Sequence, residues 1–176
     1  IANLLHCSRH EEVIFVRGAT EAINLIAQAY ARPHLGEGDV ILITEMEHHS
    51  NIVPWQLVCE QTGASLEVVP VCDDGSLDME AYKSLLTKDV VIVSMAHVSN
   101  AIGTINPVKE ICKLAREVGA TTVVDGAQAT GHLQVDISDI DCDFYAISGH
   151  KMFGPTGIGC LFGKYELLQE MEPWQG

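Results

Sequence analysis

The chain has 176 residues, 47% of them hydrophobic and 19% charged, a balance that supports one buried core and excludes a disordered polyelectrolyte. Its 24 acidic residues against 10 basic ones leave a formal net charge of −14 and a pI near 4.7, which argues against a nucleic-acid surface, where clustered Lys and Arg must neutralise phosphates. Apolar runs such as Val90-Val91-Ile92-Val93 are far too short to span a bilayer, and Ile1 to His10 carries no signal-peptide pattern.

Taken in order, the chain alternates strands and helices. Glu11 to Val16 reads as a strand, and Thr20 to Ala31 as a helix with Ile23, Ile26, Ala27 and Tyr30 at helical spacing. Val40 to Thr44 is the next strand. A helix from Asn51 to Gln61 follows, capped by Ser50 or Asn51, with Pro54 in its first turn and Trp55 in the core. Ser65 to Val71 is a strand, Asp73-Asp74-Gly75 a turn and Met79 to Leu86 a helix. Val90 to Ala96 is a buried strand. Pro107 opens a helix through Val118 that Gly119 stops, and Thr121 to Asp125 is a strand. Phe144 to Ile147 is a short buried strand, Ile158 to Phe162 an antiparallel return, and Tyr165 to Met171 a closing helix. Such alternation implies parallel crossover units, hence an α/β fold: three layers, α-β-α, around a mostly parallel sheet. The chain begins without Met and opens almost directly into a strand, so it reads as part of something longer.

Six cysteines, at positions 7, 59, 72, 112, 142 and 160, show no close ligand spacing and sit mostly in apolar contexts. They read as free thiols in a reducing cytoplasm. Glu45, Glu47, His48 and His49 invite a metal reading, but adjacent histidines rarely face one ion and no further ligands are evident, so no metal site is expected.

The chemistry centres on Ser148-Gly149-His150-Lys151. Lys151 would emerge where a strand breaks, at the edge from which open α/β sheets bind ligands. Partly desolvated, such an amine can form a Schiff base with an aldehyde; a solvated surface lysine is the bland alternative. Asp125 ends a buried strand, so its carboxylate needs a partner. A protonated pyridine nitrogen would serve, as would a helix N-cap role. Lysine and acid together are what pyridoxal phosphate requires: one holds the aldehyde, the other keeps the ring an electron sink. The small-residue turn Gly18-Ala19-Thr20 opens a helix, which suits a phosphate or, equally, a plain Thr cap. Ser148 and His150 can both hydrogen bond a phosphate. Asn100 reads as an amide donor or a turn residue, and Gln128 as a ring contact or a solvated side chain.

The motifs Val16-Arg17-Gly18-Ala19-Thr20-Glu21, Glu47-His48-His49-Ser50-Asn51-Ile52-Val53-Pro54-Trp55, His97-Val98-Ser99-Asn100, Val124-Asp125-Gly126-Ala127-Gln128 and Ser148-Gly149-His150-Lys151 resemble a cysteine desulfurase in order and spacing. The resemblance is to the SUF-type or selenocysteine lyase-like branch of the class V aminotransferase family, fold-type I pyridoxal phosphate enzymes. It implies that residues 1–176 are a portion of the cofactor-binding large domain, without the N-terminal segment and the C-terminal small domain. It implies Lys151 and His48 as catalytic residues, His48 stacking on the ring and moving protons. Ala19, Thr20, Asn100, Asp125, Gln128, Ser148 and His150 would join them in binding the cofactor, Gln128 at its phenolic oxygen; His97 stays outside this set. The implied reaction removes sulfur from L-cysteine, giving L-alanine and an enzyme persulfide for iron-sulfur cluster assembly. A homodimer, a sulfur-acceptor protein and a cytoplasmic location are implied too. None of the six cysteines matches the family's nucleophile motif, so this chain alone is expected to be nearly inactive. A selenocysteine lyase or another class V relative, or a non-catalytic interaction module, fits the same residues.

Overall fold

The computed structural model describes residues 1–174. Among them, seven strands form one sheet: β1 (Val13–Val16), β2 (Val40–Thr44), β3 (Ser65–Val69), β4 (Val90–Ala96), β5 (Thr121–Asp125), β6 (Phe144–Ser148) and β7 (Gly159–Gly163). Their order across the sheet is β1-β7-β6-β5-β4-β2-β3. β3, β2, β4, β5 and β6 pair in parallel, and β7 runs antiparallel to both β6 and β1. The mostly parallel α/β sheet expected from the alternation is therefore present, with the antiparallel return in place.

The strand sequences are continuous apolar runs because both faces are covered. Successive side chains point to opposite faces, so each strand feeds two cores. Ile41, Ile43, Ile92, Val123, Phe144, Ala146 and Leu161 pack into one; Leu42, Val93, Met95, Val124, Tyr145, Ile147 and Phe162 pack into the other. The first core is closed by α2 (Ala19–Leu25), which runs through a π-helical segment (Ile26–Ala31) into α3 (Arg32–His34), and by α4 (Val53–Thr62) with the fully buried Trp55. The second is closed by α5 (Met79–Leu85), α6 (Val108–Glu117) and α7 (Ile137–Ile140), through Tyr82, Ile111, Cys112, Ala115 and Ile140. α8 (Tyr165–Glu170) follows β7.

Several boundaries move. The chain opens not into a strand but into α1 (Ala2–Leu5), whose Leu5 is fully buried. Glu11 and Glu12 lie in a 3-10 turn, so β1 begins at Val13. The helix read as ending at Ala31 continues through Pro33, tolerated in the first turn of α3. α4 starts at Val53, because His49–Asn51 form a separate 3-10 turn. β3 stops at Val69, before Pro70, which has no N–H for a ladder. No helix among the described residues is long and apolar enough to cross a membrane.

Candidate active site

Parity places the functional side chains. On β4, β5 and β6 the residues that share a face with Ile92, Val123, Phe144 and Ala146 are Ala96, Asp125 and Ser148. Register then aligns Ala96 with Asp125 and Asp125 with Ala146 across adjacent parallel strands. The three residues end up at the carboxyl edge of the sheet, on the side covered by α2 and α4, where open α/β sheets bind ligands.

A cavity of about 190 Å³ opens there. Its lining includes all nine residues singled out in the sequence: Ala19, Thr20, His48, Asn100, Asp125, Gln128, Ser148, His150 and Lys151. They come from five places in the chain: the start of α2, the loop after β2, the loop after β4, the end of β5 with its following turn, and the end of β6 with the 3-10 turn Gly149–Lys151 that follows it. Ser50, Ala96, Val98 and Ala127 complete the lining. These four were not anticipated. The backbone neighbours of Asn100 and Asp125 carry no chemical signal of their own, and Ser50 was taken only as a helix cap.

Two close approaches hold this arrangement. A Cβ on Gly126 would lie 1.9 Å from Cε1 of Tyr145, so only glycine lets the chain turn off β5 against that buried ring. A Cβ on Gly131 would lie 2.3 Å from the carbonyl oxygen of Lys151, so the turn after Gln128 presses directly on the lysine backbone.

Asp125 is 7% exposed. One of its oxygens accepts the Ala127 N–H at 2.9 Å, a local cap of the following turn. The other has no donor among the described residues, and the residue lines the cavity. Burial pushes the Asp125 carboxyl up from its ordinary value, against the Ala127 bond and the charges of Lys151 and His48. Asp125 thus caps a turn with one oxygen. Gln128 sits on that turn rather than on a helix.

Ser148 Oγ accepts the N–H of Ala19 at 2.9 Å, tying the end of β6 to the start of α2. The cap position of α2 is Gly18, with Thr20 inside the first turn. The Thr20 hydroxyl is therefore not spent on capping. Among the described residues the side chains of Thr20, Asn100, Gln128, His150 and Lys151 make no hydrogen bond or ion pair, yet all line one cavity. Convergent polar groups without protein partners among the described residues make this cavity the candidate binding site.

The acidic pair beside the histidines is engaged elsewhere. Glu45 accepts the Val71 N–H at 3.0 Å. Glu47 is buried and accepts from the Thr44 hydroxyl, from Asn51 Nδ2 at 2.6 Å and from the Ala96 N–H at 2.9 Å. Asn51 Oδ1 in turn accepts from Trp55 Nε1 at 2.9 Å and from the Ser94 hydroxyl at 2.6 Å. Burial pushes the Glu47 carboxyl up to about 7, opposed by its three donors and helped by nearby Asp125. His48 and His49 stand with rings perpendicular, centroids 6.0 Å apart, and only His48 reaches the cavity. His97 is directed away from it: buried, its Nδ1 lies 2.8 Å from the Tyr145 hydroxyl.

Residues 1–176 match the family model for aminotransferase class-V over their whole length. The chain belongs to the class-V aminotransferase family. Among curated relatives of this class-V chain, a cysteine desulfurase of Dickeya dadantii is 51% identical over 176 residues, all of this chain and 43% of that protein. The chain thus spans less than half the length of that relative. The crystal structure of the cysteine desulfurase CsdA from Escherichia coli superposes with a TM-score of 0.97 at 42% identity, covering 99% of this chain and 44% of the other. A C-DES mutant with glycine covalently linked to its PLP cofactor superposes at a TM-score of 0.89 and 25% identity, over 98% of this chain and 46% of the other.

Proposed function

We propose that this chain is the cofactor-binding portion of a pyridoxal phosphate-dependent cysteine desulfurase, which removes sulfur from L-cysteine and releases L-alanine. The observation that carries the reading is the convergence of Asp125, His48 and Lys151 on one cavity. The donor set fits the group. Among the described residues, an Asp125 oxygen without a protein partner suits a protonated ring nitrogen, the Gln128 amide a phenolic oxygen, and the unpaired Lys151 amine an aldehyde. Thr20, Ser148 and His150, beside the positive end of α2, suit the phosphate. When bound, pyridoxal phosphate supplies the aldehyde that captures a substrate amine and the ring that draws off carbanion charge.

The chain's own groups divide the remaining work. Lys151 would hold the cofactor and, as a free amine, could carry a proton at Nζ. Asp125, buried at the end of β5, would hold positive charge at the ring nitrogen. His48 would lie against the ring and could exchange protons. Asn100 would orient the substrate or cofactor. No cysteine lines the cavity among the described residues, so the thiol that takes up the sulfur as a persulfide comes from outside this set, and this chain alone turns over little cysteine. We place the parent enzyme in the cytoplasm as a homodimer that passes sulfur to an acceptor protein for iron-sulfur cluster assembly.

Titration of the chain with pyridoxal phosphate is the test. Uptake with a visible absorbance band that is lost in Lys151→Ala is expected. No uptake, or a band unchanged by that substitution, would overturn the assignment. Measurable persulfide formation by this chain alone would overturn the division of labour.

A further inference from the structure

Among the described residues, His48 Nδ1 has two hydrogen-bond partners, both on Ser50: the hydroxyl at 2.8 Å and the backbone N–H at 3.2 Å. A peptide N–H can only donate. Nδ1 therefore offers its lone pair to Ser50, and the proton of the neutral ring resides on Nε2. The same contact caps the 3-10 turn His49–Asn51, with His48 as its N-cap. Ring orientation is thus set by backbone geometry.

The Ser50 hydroxyl plays a different part, because it can reverse. It donates to Nδ1 while the ring is neutral, and it accepts from Nδ1–H once the ring is charged. Without it, a charged ring would point its Nδ1–H at another donor, the Ser50 peptide. We propose that Ser50 is the positioning residue for His48: it holds the neutral ring as the Nε2–H tautomer and receives the Nδ1 proton of the charged ring, so that exchange with the reacting groups takes place at Nε2.

Other charged groups face the imidazole. Asp125 on β5 and Lys151 and His150 on the turn after β6 line the same cavity. His49 stands perpendicular to it, and Glu47 on its own loop is turned into the Thr44, Asn51 and Ala96 bonds. The choice between the two ring nitrogens is made by the hydrogen bonds at Nδ1.

The inference rests on His48 acting beside the cofactor ring, but its test needs no cofactor. In the ¹⁵N-histidine-labelled chain, with His48→Gln to assign the signals, the neutral ring is expected to show a pyridine-type Nδ1 and a pyrrole-type Nε2. Ser50→Ala should keep that tautomer, since the peptide N–H remains. It should also move the Nδ1 resonance downfield, because the lone pair loses its hydroxyl donor. Ser50→Thr, which retains the hydroxyl, should restore the native resonance. A pyrrole-type Nδ1 in the native neutral ring, or an identical Nδ1 resonance for native and Ser50→Ala, would overturn the proposal. Failure to take up pyridoxal phosphate would instead count against the functional reading and leave these signals unaffected.

Discussion

Replacing Glu47 by Gln preserves shape and removes charge at a site where every neighbour donates. The amide must offer one oxygen and one NH₂ group where Thr44, Ala96 and Asn51 need acceptors. Asn51 cannot turn its oxygen to meet the new NH₂, because that oxygen serves Trp55 Nε1 and the Ser94 hydroxyl. One buried donor is left facing another, which costs about 1–3 kcal/mol. The native carboxyl meets a different expense. Burial, ahead of its hydrogen bonds and the Asp125 charge, raises it from 4.5 to about 7.

Between these values the folded chain keeps a proton that the unfolded chain has released. Native stability therefore falls as pH rises, by about 1.4 kcal/mol per unit, or roughly 3 kcal/mol across the window. Glu47→Gln lacks this slope. Urea denaturation of both proteins from pH 5 to pH 8 should show the native chain more stable at the acidic end. The gap should shrink, and close or reverse, towards pH 8; taking the difference cancels histidines that titrate in the same range. A gap independent of pH, or variants equal within about 0.5 kcal/mol at pH 5, the size of an ordinary surface change, would refute the reasoning.

Two substitutions test the framework around the cavity. Gly126→Ala drives a methyl into the Tyr145 ring, which is fully buried and cannot swing aside; thermal unfolding should register a loss of about 1–3 kcal/mol or more, and a melting temperature like the native chain's would contradict the packing. Asp78→Ala removes the cap of α5, where Asp78 Oδ1 accepts the N–H of Glu80 and of Ala81 at 3.0 and 2.9 Å. A loss of about 1 kcal/mol is expected in denaturant, with pyridoxal phosphate uptake unchanged because α5 lies on the opposite face of the sheet from the cavity.

Much of this was legible in the residues themselves. The runs at β2, β4, β5 and β6 are apolar over the length of a strand, the apolar spacing of Ile23, Ile26, Ala27 and Tyr30 is helical, and Asp125 and Lys151 each stand where an apolar run breaks. These signals survive in one dimension because the geometry of a helix or strand repeats within a few residues. The same holds for the motifs around His48 and Asn100. Tertiary structure alone decided that β2 lies between β3 and β4, and that β7 wedges between β1 and β6. It also decided that Ala96 and Asp125 stand side by side. The fate of Glu47 was hidden for the same reason. Beside two histidines it invites a metal reading, yet one of its donors, the Ala96 N–H, comes from 49 residues away. Local spacing specifies which face a side chain takes; what it meets there depends on packing between distant strands, to which sequence separation is blind.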